Sequence, residues 1–223
     1  MRSLLPVVLL AGAVLTMDGV GATPQAGAIR GRVLQPEVTI RHEARPSIGS
    51  IAPTTHDAVD RRIAVVYLDP APRQAFEAMP VRRGRMDQRR EQFVPRVLAV
   101  TAGTVVDFPN NDVPFHNVMS LAPGNSFDLG RYRKGQSRSV RFDTPGIVPI
   151  ICDIHSHMSA YVLVFSHQFF AVTDDEGRYS IPGVPAGTYT MKVWSELGTA
   201  EPRRIATAAG PVDVDFKVER RSR

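Results

Sequence analysis

The residues that could do chemistry cluster in one short stretch. Cys152, His155 and Met158 follow one another as Cys-x2-His-x2-Met, so a thiolate, an imidazole and a thioether leave a single turn. Two apolar runs bracket that turn, IVPII before Cys152 and YVLVF from Tyr161. A second imidazole, His116, stands upstream in NNDVPFHN, residues 110–117. Two histidines, a cysteine and a weakly bound methionine make a soft, trigonal donor set that suits copper. Zinc rarely takes a thioether, and calcium and magnesium prefer oxygen donors. The expected cofactor is therefore one copper ion, Cu(I)/Cu(II), on His116, Cys152, His155 and Met158. The two oxidation states prefer different geometries, so a rigid scaffold holding a compromise arrangement lowers the rearrangement each electron transfer demands.

The elements that must position this set read as strands. Between Phe93 and Phe165, short apolar or β-branched runs at 97–100, 104–108, 117–121, 137–142, 147–151 and 161–165 alternate with turn chemistry. The turns are AG, PNND, PGN and TPG, and this spacing predicts an antiparallel sandwich or barrel. Upstream, 28–34 reads as a strand and 35–61 as an irregular excursion with three prolines, His42 and His56. Residues 63–68 are apolar enough for a strand buried on both faces. Residues 69–90 form a Pro- and Arg-rich connection whose most basic part is RRGRMDQRR, and a short helix would fit there. After Phe165, the runs FAVT and RYSI, the turns DDEG and VPAG, and strands near 188–194, 203–207 and 212–218 mark a second, smaller β unit. Trp194 is expected in its core, Met119 and Phe115 as packing residues of the first unit, and His167 at the border of the two.

Composition narrows the function. The chain has 223 residues, 27 Lys+Arg against 22 Asp+Glu, six His and one Cys. A single cysteine makes no intramolecular disulfide. Six histidines, with Ile151 and Asp153 flanking Cys152, exclude the trinuclear centre of a multicopper oxidase. Ser195 and Glu196 have no histidine in a triad-like pattern, so a hydrolase has no support. The arginines are scattered without interleaved aromatics, which speaks against nucleic acid. The net charge of +5 suits an acidic redox partner protein, with RRGRMDQRR as a docking patch, or an anionic envelope. Arg2 and the apolar run 4–15 are too short for a membrane span of about 20 residues. With small residues at 20–22 they read as a secretory signal, 1–22, so an exported, periplasmic location is expected with no transmembrane segment after its removal.

The stretch 97–165 resembles the cupredoxins, nearest to amicyanin and plastocyanin, on VTAGTVVDFPNND, HNV and FDTPGIVPIICDIHSHM. The resemblance implies an antiparallel Greek-key sandwich with His116, Cys152 and His155 as equatorial ligands and Met158 as the axial one. It also implies that Asn117 ties the two ligand loops together by hydrogen bonds. His157 departs from the pattern, because Cys152 to His157 has the Cys-x4-His spacing of a longer loop. Its methionine would fall at position 161, which is Tyr161, so His157 as the alternative ligand completes three donors and His155 four. FAVTDDEGRYSIPGVPAGTYTMKVW resembles the carboxypeptidase regulatory-like domain, a small transthyretin-like β-sandwich without catalysis. The pairing of the two resembles exported bacterial proteins of the methylamine-utilisation type.

The chain is thus read as all-β: a signal peptide 1–22, a copper sandwich 28–166 with the insertion 35–61, a regulatory-like sandwich 167–219 and a basic tail 220–223. The expected function is single-copper electron transfer, not an enzyme. The alternative is a copper-binding, storage or adhesion module in which the metal is structural.

Overall fold

The computed structural model describes residues 27–37, 62–72, 82–208 and 210–220. The expected signal peptide, His42, His56 and the last three residues of the tail lie outside the described residues. Every regular element among the described residues is a strand, so the chain is all-β. In chain order these are β1 (Gly27–Leu34), β2 (Ala64–Leu68), β3 (Arg83–Arg85), β4 (Asp87–Arg89), β5 (Gln92–Val94), β6 (Val97–Thr101) and β7 (Thr104–Pro109). Next come β8 (His116–Ser120), β9 (Phe127–Tyr132), β10 (Ser137–Phe142), β11 (Gly146–Ile151), β12 (Ser159–Phe165) and β13 (Phe170–Val172). The last are β14 (Arg178–Val184), β15 (Gly187–Ser195), β16 (Gly198–Thr199), β17 (Arg203–Thr207), β18 (Pro211–Asp213), β19 (Phe216–Lys217) and β20 (Glu219–Arg220). RRGRMDQRR therefore holds the short strands β3 and β4 where the sequence left room for a helix.

One sandwich sets the sheet β6-β12-β11-β8-β9 against β10-β7-β3, with the hairpin β4-β5 beside them. Its pairing is not purely antiparallel, because β6 runs parallel to β12 and β3 parallel to β7. Neither pair is joined by a hairpin, so nothing local forces opposite directions. The core between the sheets holds Val106, Phe108, Phe142, Val148, Ile150, Val162 and, with them, Cys152 and Met158. Each large apolar side chain fully buried there contributes about 1.5–3 kcal/mol.

The second sandwich sets β14-β1-β18, with β19 on β1, against β13-β2-β15-β16-β20, with β17 on β15. Here the expected boundary needs correction. The sequence assigned β1 and β2 to the 28–166 unit, yet β1 pairs with β14 and β2 with β13 and β15. Ile29, Val33, Ala64, Val66 and Leu68 fill the core of this second sandwich. The Ala64 amide donates to Thr173 Oγ1 at 2.9 Å across 109 residues, so no local pattern could announce the pairing. The first sandwich thus follows β2 and precedes β13, carried within the second.

The two sandwiches share an apolar seam. β12 alternates: Ala160, Val162 and Val164 face the first core, and Leu163, Tyr161 and Phe165 face Val65, Phe170 and Trp194. The rings of Tyr161 and Trp194 lie 5.0 Å apart. Trp194 therefore packs in the seam and not inside its own sandwich, as expected from its run alone. His167 is buried beside the same seam, its ring 5.7 Å from that of Phe165. β2 is covered on both faces, Val66 by one core and Val65 by the seam.

Candidate metal centre

Two loops at one end of the first sandwich bring the donors together. The first links β7 to β8 and is fixed by asparagine chemistry. Asn110 Oδ1 accepts from the Asp112 amide at 2.8 Å, and Asn110 Nδ2 donates to the Pro114 and Tyr132 carbonyls at 3.0 Å each. Asn111 Nδ2 donates to both oxygens of the buried Asp87 carboxylate, at 2.8 and 2.9 Å. This delivers His116 to the first position of β8, fully buried at 0% exposure. The second loop crosses the tip of the β11-β12 hairpin, closed by Cys152 N–H to the Met158 carbonyl (3.3 Å) and Met158 N–H to the His155 carbonyl (2.9 Å). Its closure turns Cys152 and Met158 into the apolar core and leaves His155 half-buried at the rim.

His116, Cys152 and His155 offer ligand atoms that all lie within 4.8 Å of one another. Nδ1 of His116 faces Nδ1 of His155 at 3.0 Å, and that same His155 atom is 3.8 Å from Cys152 Sγ. Metal–nitrogen bonds of about 2.0 Å and a metal–sulfur bond of about 2.3 Å require donor separations of about 3.5–3.7 Å in a trigonal site. The observed separations of 3.0 and 3.8 Å lie within about 0.5 Å of these values. The residues therefore fit a soft metal ion.

Electrostatics orient the donors. His116 Nε2 lies 3.0 Å from Asp112 Oδ2, and the carboxylate accepts, so the proton sits on Nε2 and Nδ1 presents its lone pair. Asp112 Oδ2 also accepts from the Glu91 amide at 2.6 Å and Oδ1 from the Val113 amide at 2.9 Å. Burial pushes the Asp112 carboxyl up, but these donors together hold it below its usual range. Burial likewise pushes the His116 imidazolium down, and Cys152 and Asp112 beside it more than compensate, so its pKa is raised. Burial pushes the Cys152 thiol up, yet the His116 imidazole and the amides of Asn117, His155 and Ile154 bring it down to about 6. Asp112 was not among the residues the sequence singled out; its only signal was its place in the NND turn four residues before His116.

Asn117 joins the loops through its main chain, its amide donating to Cys152 Sγ at 3.5 Å. Its buried side-chain oxygen has no hydrogen-bond partner among the described residues. His157 lies outside the three-residue cluster, 37% exposed, with Nε2 3.0 Å from Glu91 Oε2. Phe115, expected to pack, is instead exposed, together with Val113 and Ile154 on the same two loops. Glu91, at the turn of the β4-β5 hairpin, thus touches both loops: its amide reaches Asp112 and its carboxylate His157.

The family profile described as polysaccharide lyase family 4, domain II (fn3_3) matches residues 147–206, a span running from β11 of one sandwich to β17 of the other. No curated protein matches the chain. Among solved structures it is similar to a Cu-containing nitrite reductase (NirK) from Thermus scotoductus SA-01, 26% identical over 40% of this chain, with a TM-score of 0.35. The match spans only 23% of that reductase's length. It is also similar to the reduced Cu(I) form, at pH 4, of a point mutant of amicyanin, 22% identical over 44% of this chain and 97% of that one, TM-score 0.35. A purple cupredoxin from Nitrosopumilus maritimus is 20% identical over 37% of this chain and 98% of that one, TM-score 0.33.

Proposed function

We propose that this protein is an exported, cupredoxin-type electron carrier that holds one copper ion with His116, Cys152 and His155, and with Met158 as a weaker fourth donor. The observation that carries this reading is the convergence of two imidazole Nδ1 atoms and one sulfur within 4.8 Å. Two nitrogen lone pairs facing at 3.0 Å repel unless a proton or a cation lies between them. Met158 enters on its burial in the same apolar cluster as Cys152 and on the sequence spacing. His155 is preferred to His157 because the Glu91 carboxylate engages the latter.

Copper would supply reversible one-electron chemistry at this place. The chain's own residues do the rest. The lowered thiol pKa favours the Cys152 thiolate near neutral pH, with the proton shared towards His116, and loading would displace that proton from the imidazole. Asp112 fixes the tautomer and ring plane of His116. The sheets around Cys152 and Met158 exclude water, which keeps the donors from rearranging. The second sandwich is read as a regulatory-like, non-catalytic module, and the partner as an acidic redox protein. The exposed Arg83, Arg85 and Arg89 side chains support that partner, although each also pairs with Asp107 or Asp87.

The test is the visible spectrum of the copper-loaded protein, with reversible one-electron reduction. An intense thiolate-to-copper(II) band that Cys152→Ala abolishes is expected. A colourless complex, or a band surviving that substitution, refutes the carrier and leaves the metal a structural role.

A further inference from the structure

The seam between the sandwiches contains one ion pair that reaches the donor loop. Arg96 lies just before β6, and its side chain is 8% exposed. Glu196 lies just after β15 in the other sandwich, 15% exposed. Arg96 Nε donates to Glu196 Oε2 at 2.9 Å and Nη2 to Oε1 at 2.6 Å, a bidentate pair across 100 residues. The same guanidinium turns its remaining donors on Ser159, with Nη1 to the Ser159 carbonyl at 2.5 Å and Nη2 to Oγ at 3.3 Å. Ser159 is the residue after Met158 and opposes Ile151, the residue before Cys152. Arg96's own carbonyl accepts from the Tyr161 amide at 2.9 Å, so main chain and side chain both hold the start of β12.

Glu196 is the anchor that keeps the Arg96 fork aimed at Ser159. A guanidinium paired with a carboxylate at two points is fixed in plane and direction, which a single hydrogen bond to a carbonyl does not achieve. A small cavity lined by Arg96, Glu91, His157, Met158 and Ser159 adjoins the pair. The loop end is therefore not packed solid beside the pair.

We propose that Glu196 is a positioning residue for the metal centre: through Arg96, the second sandwich sets the placement of Ser159 and thereby of Met158 and Cys152. The proposal rests on reading residues 152–158 as the donor loop, and it deepens that reading by giving the second sandwich a part in it. With Glu196 neutralised, Arg96 can turn to solvent, Ser159 loses two donors, and the closing bonds of the loop open more often.

The experiment uses the full chain with Glu196→Gln, which keeps the volume and one acceptor, and Arg96→Lys, which keeps the charge and loses the fork. Tyr179→Phe is the control; it removes a buried bond to the Val214 carbonyl, 2.6 Å, in the second sandwich and touches neither loop nor seam. In metal-free protein, amide hydrogen exchange at Cys152 and Met158 should quicken about tenfold in both test variants, the factor that a lost charge-assisted hydrogen bond removes. Amides of β7 and β10 should stay at the wild-type rate, and the control should leave Cys152 and Met158 unmoved. In copper-loaded protein the two variants should also shift the band position and reduction potential while the control does not. Unchanged exchange at Cys152 and Met158, or an equal change in the control, overturns the proposal. Should Glu196→Gln not fold, Arg96→Lys alone decides it by the same exchange readout. A colourless copper complex with quickened exchange would sink the electron-carrier reading and leave the positioning role standing.

Discussion

Removing the Asp112 carboxylate is the perturbation most directly computable from this site. In Asp112→Ala the buried His116 Nε2–H loses its acceptor at 3.0 Å and the Glu91 amide loses one at 2.6 Å. Stranding a buried donor costs about 1–3 kcal/mol. Glu91 is partly exposed, so water replaces part of its loss, and the metal-free protein should be less stable by about 1–3 kcal/mol. The effect on metal is separate. Without the carboxylate, His116 is free to swap tautomers, and one of the two would aim an N–H at the site. Losing such a carboxylate–histidine contact lowers metal affinity by about 10–100-fold. Competition titration of copper against a calibrated chelator measures this, with chemical denaturation of the metal-free protein alongside. Asp112→Asn should fall between, because its amide oxygen still accepts from Nε2 without the charge. An Asp112→Ala protein that is destabilised but binds copper within about twofold of wild type would refute the argument, since the carboxylate would then act on the loop and not on the imidazole.

Two further outcomes follow from charges near the site. His157→Gln should leave the thiolate-to-copper band intact and change stability by less than about 1 kcal/mol, because both partners of the His157–Glu91 pair are partly exposed; a collapsed band would reassign the ligand. Burial pushes the Asp87 carboxyl up, but bonds from Asn111, Arg85, Gln88 and Arg89 together outweigh it and depress its pKa. Asp87→Asn should therefore cost about 1.5–3 kcal/mol at neutral pH. A depressed carboxyl stabilises fully above its unfolded pKa, about 3.9, and less as pH falls through the lower folded value. The gap between variant and wild type in denaturant titrations should accordingly close in acid below about pH 4, and a gap that widened there would contradict it.

Cys152, His155 and Met158 could be nominated as candidate donors because their chemistry is local. The hairpin tip from Cys152 to Met158 fixes which side chains turn inward once the flanking strands pair, and IVPII and YVLVF announce those strands. His116 could be selected only in combination with them, since nothing in NNDVPFHN states which strand it will start. Asp112 was invisible for the opposite reason: an aspartate in a turn is expected there for backbone reasons alone, and only the fold shows its second oxygen turned to His116. Trp194 and Phe115 were misplaced because apolarity does not say what covers a side chain. Trp194 found its cover in the seam with the other sandwich, and Phe115 stays exposed among the described residues.

What the sequence alone determined is the all-β class, and it nominated the candidate donor set. Both depend on side-chain chemistry and on alternation over a few residues, which survive in the linear order. Only the tertiary structure decided that β1 and β2 belong with β14 and β15, and that Glu196 meets Arg96 beside Ser159. Strand partners more than a hundred residues apart are chosen by which apolar faces bury together. That choice is a property of the packed whole, and no window of sequence contains it.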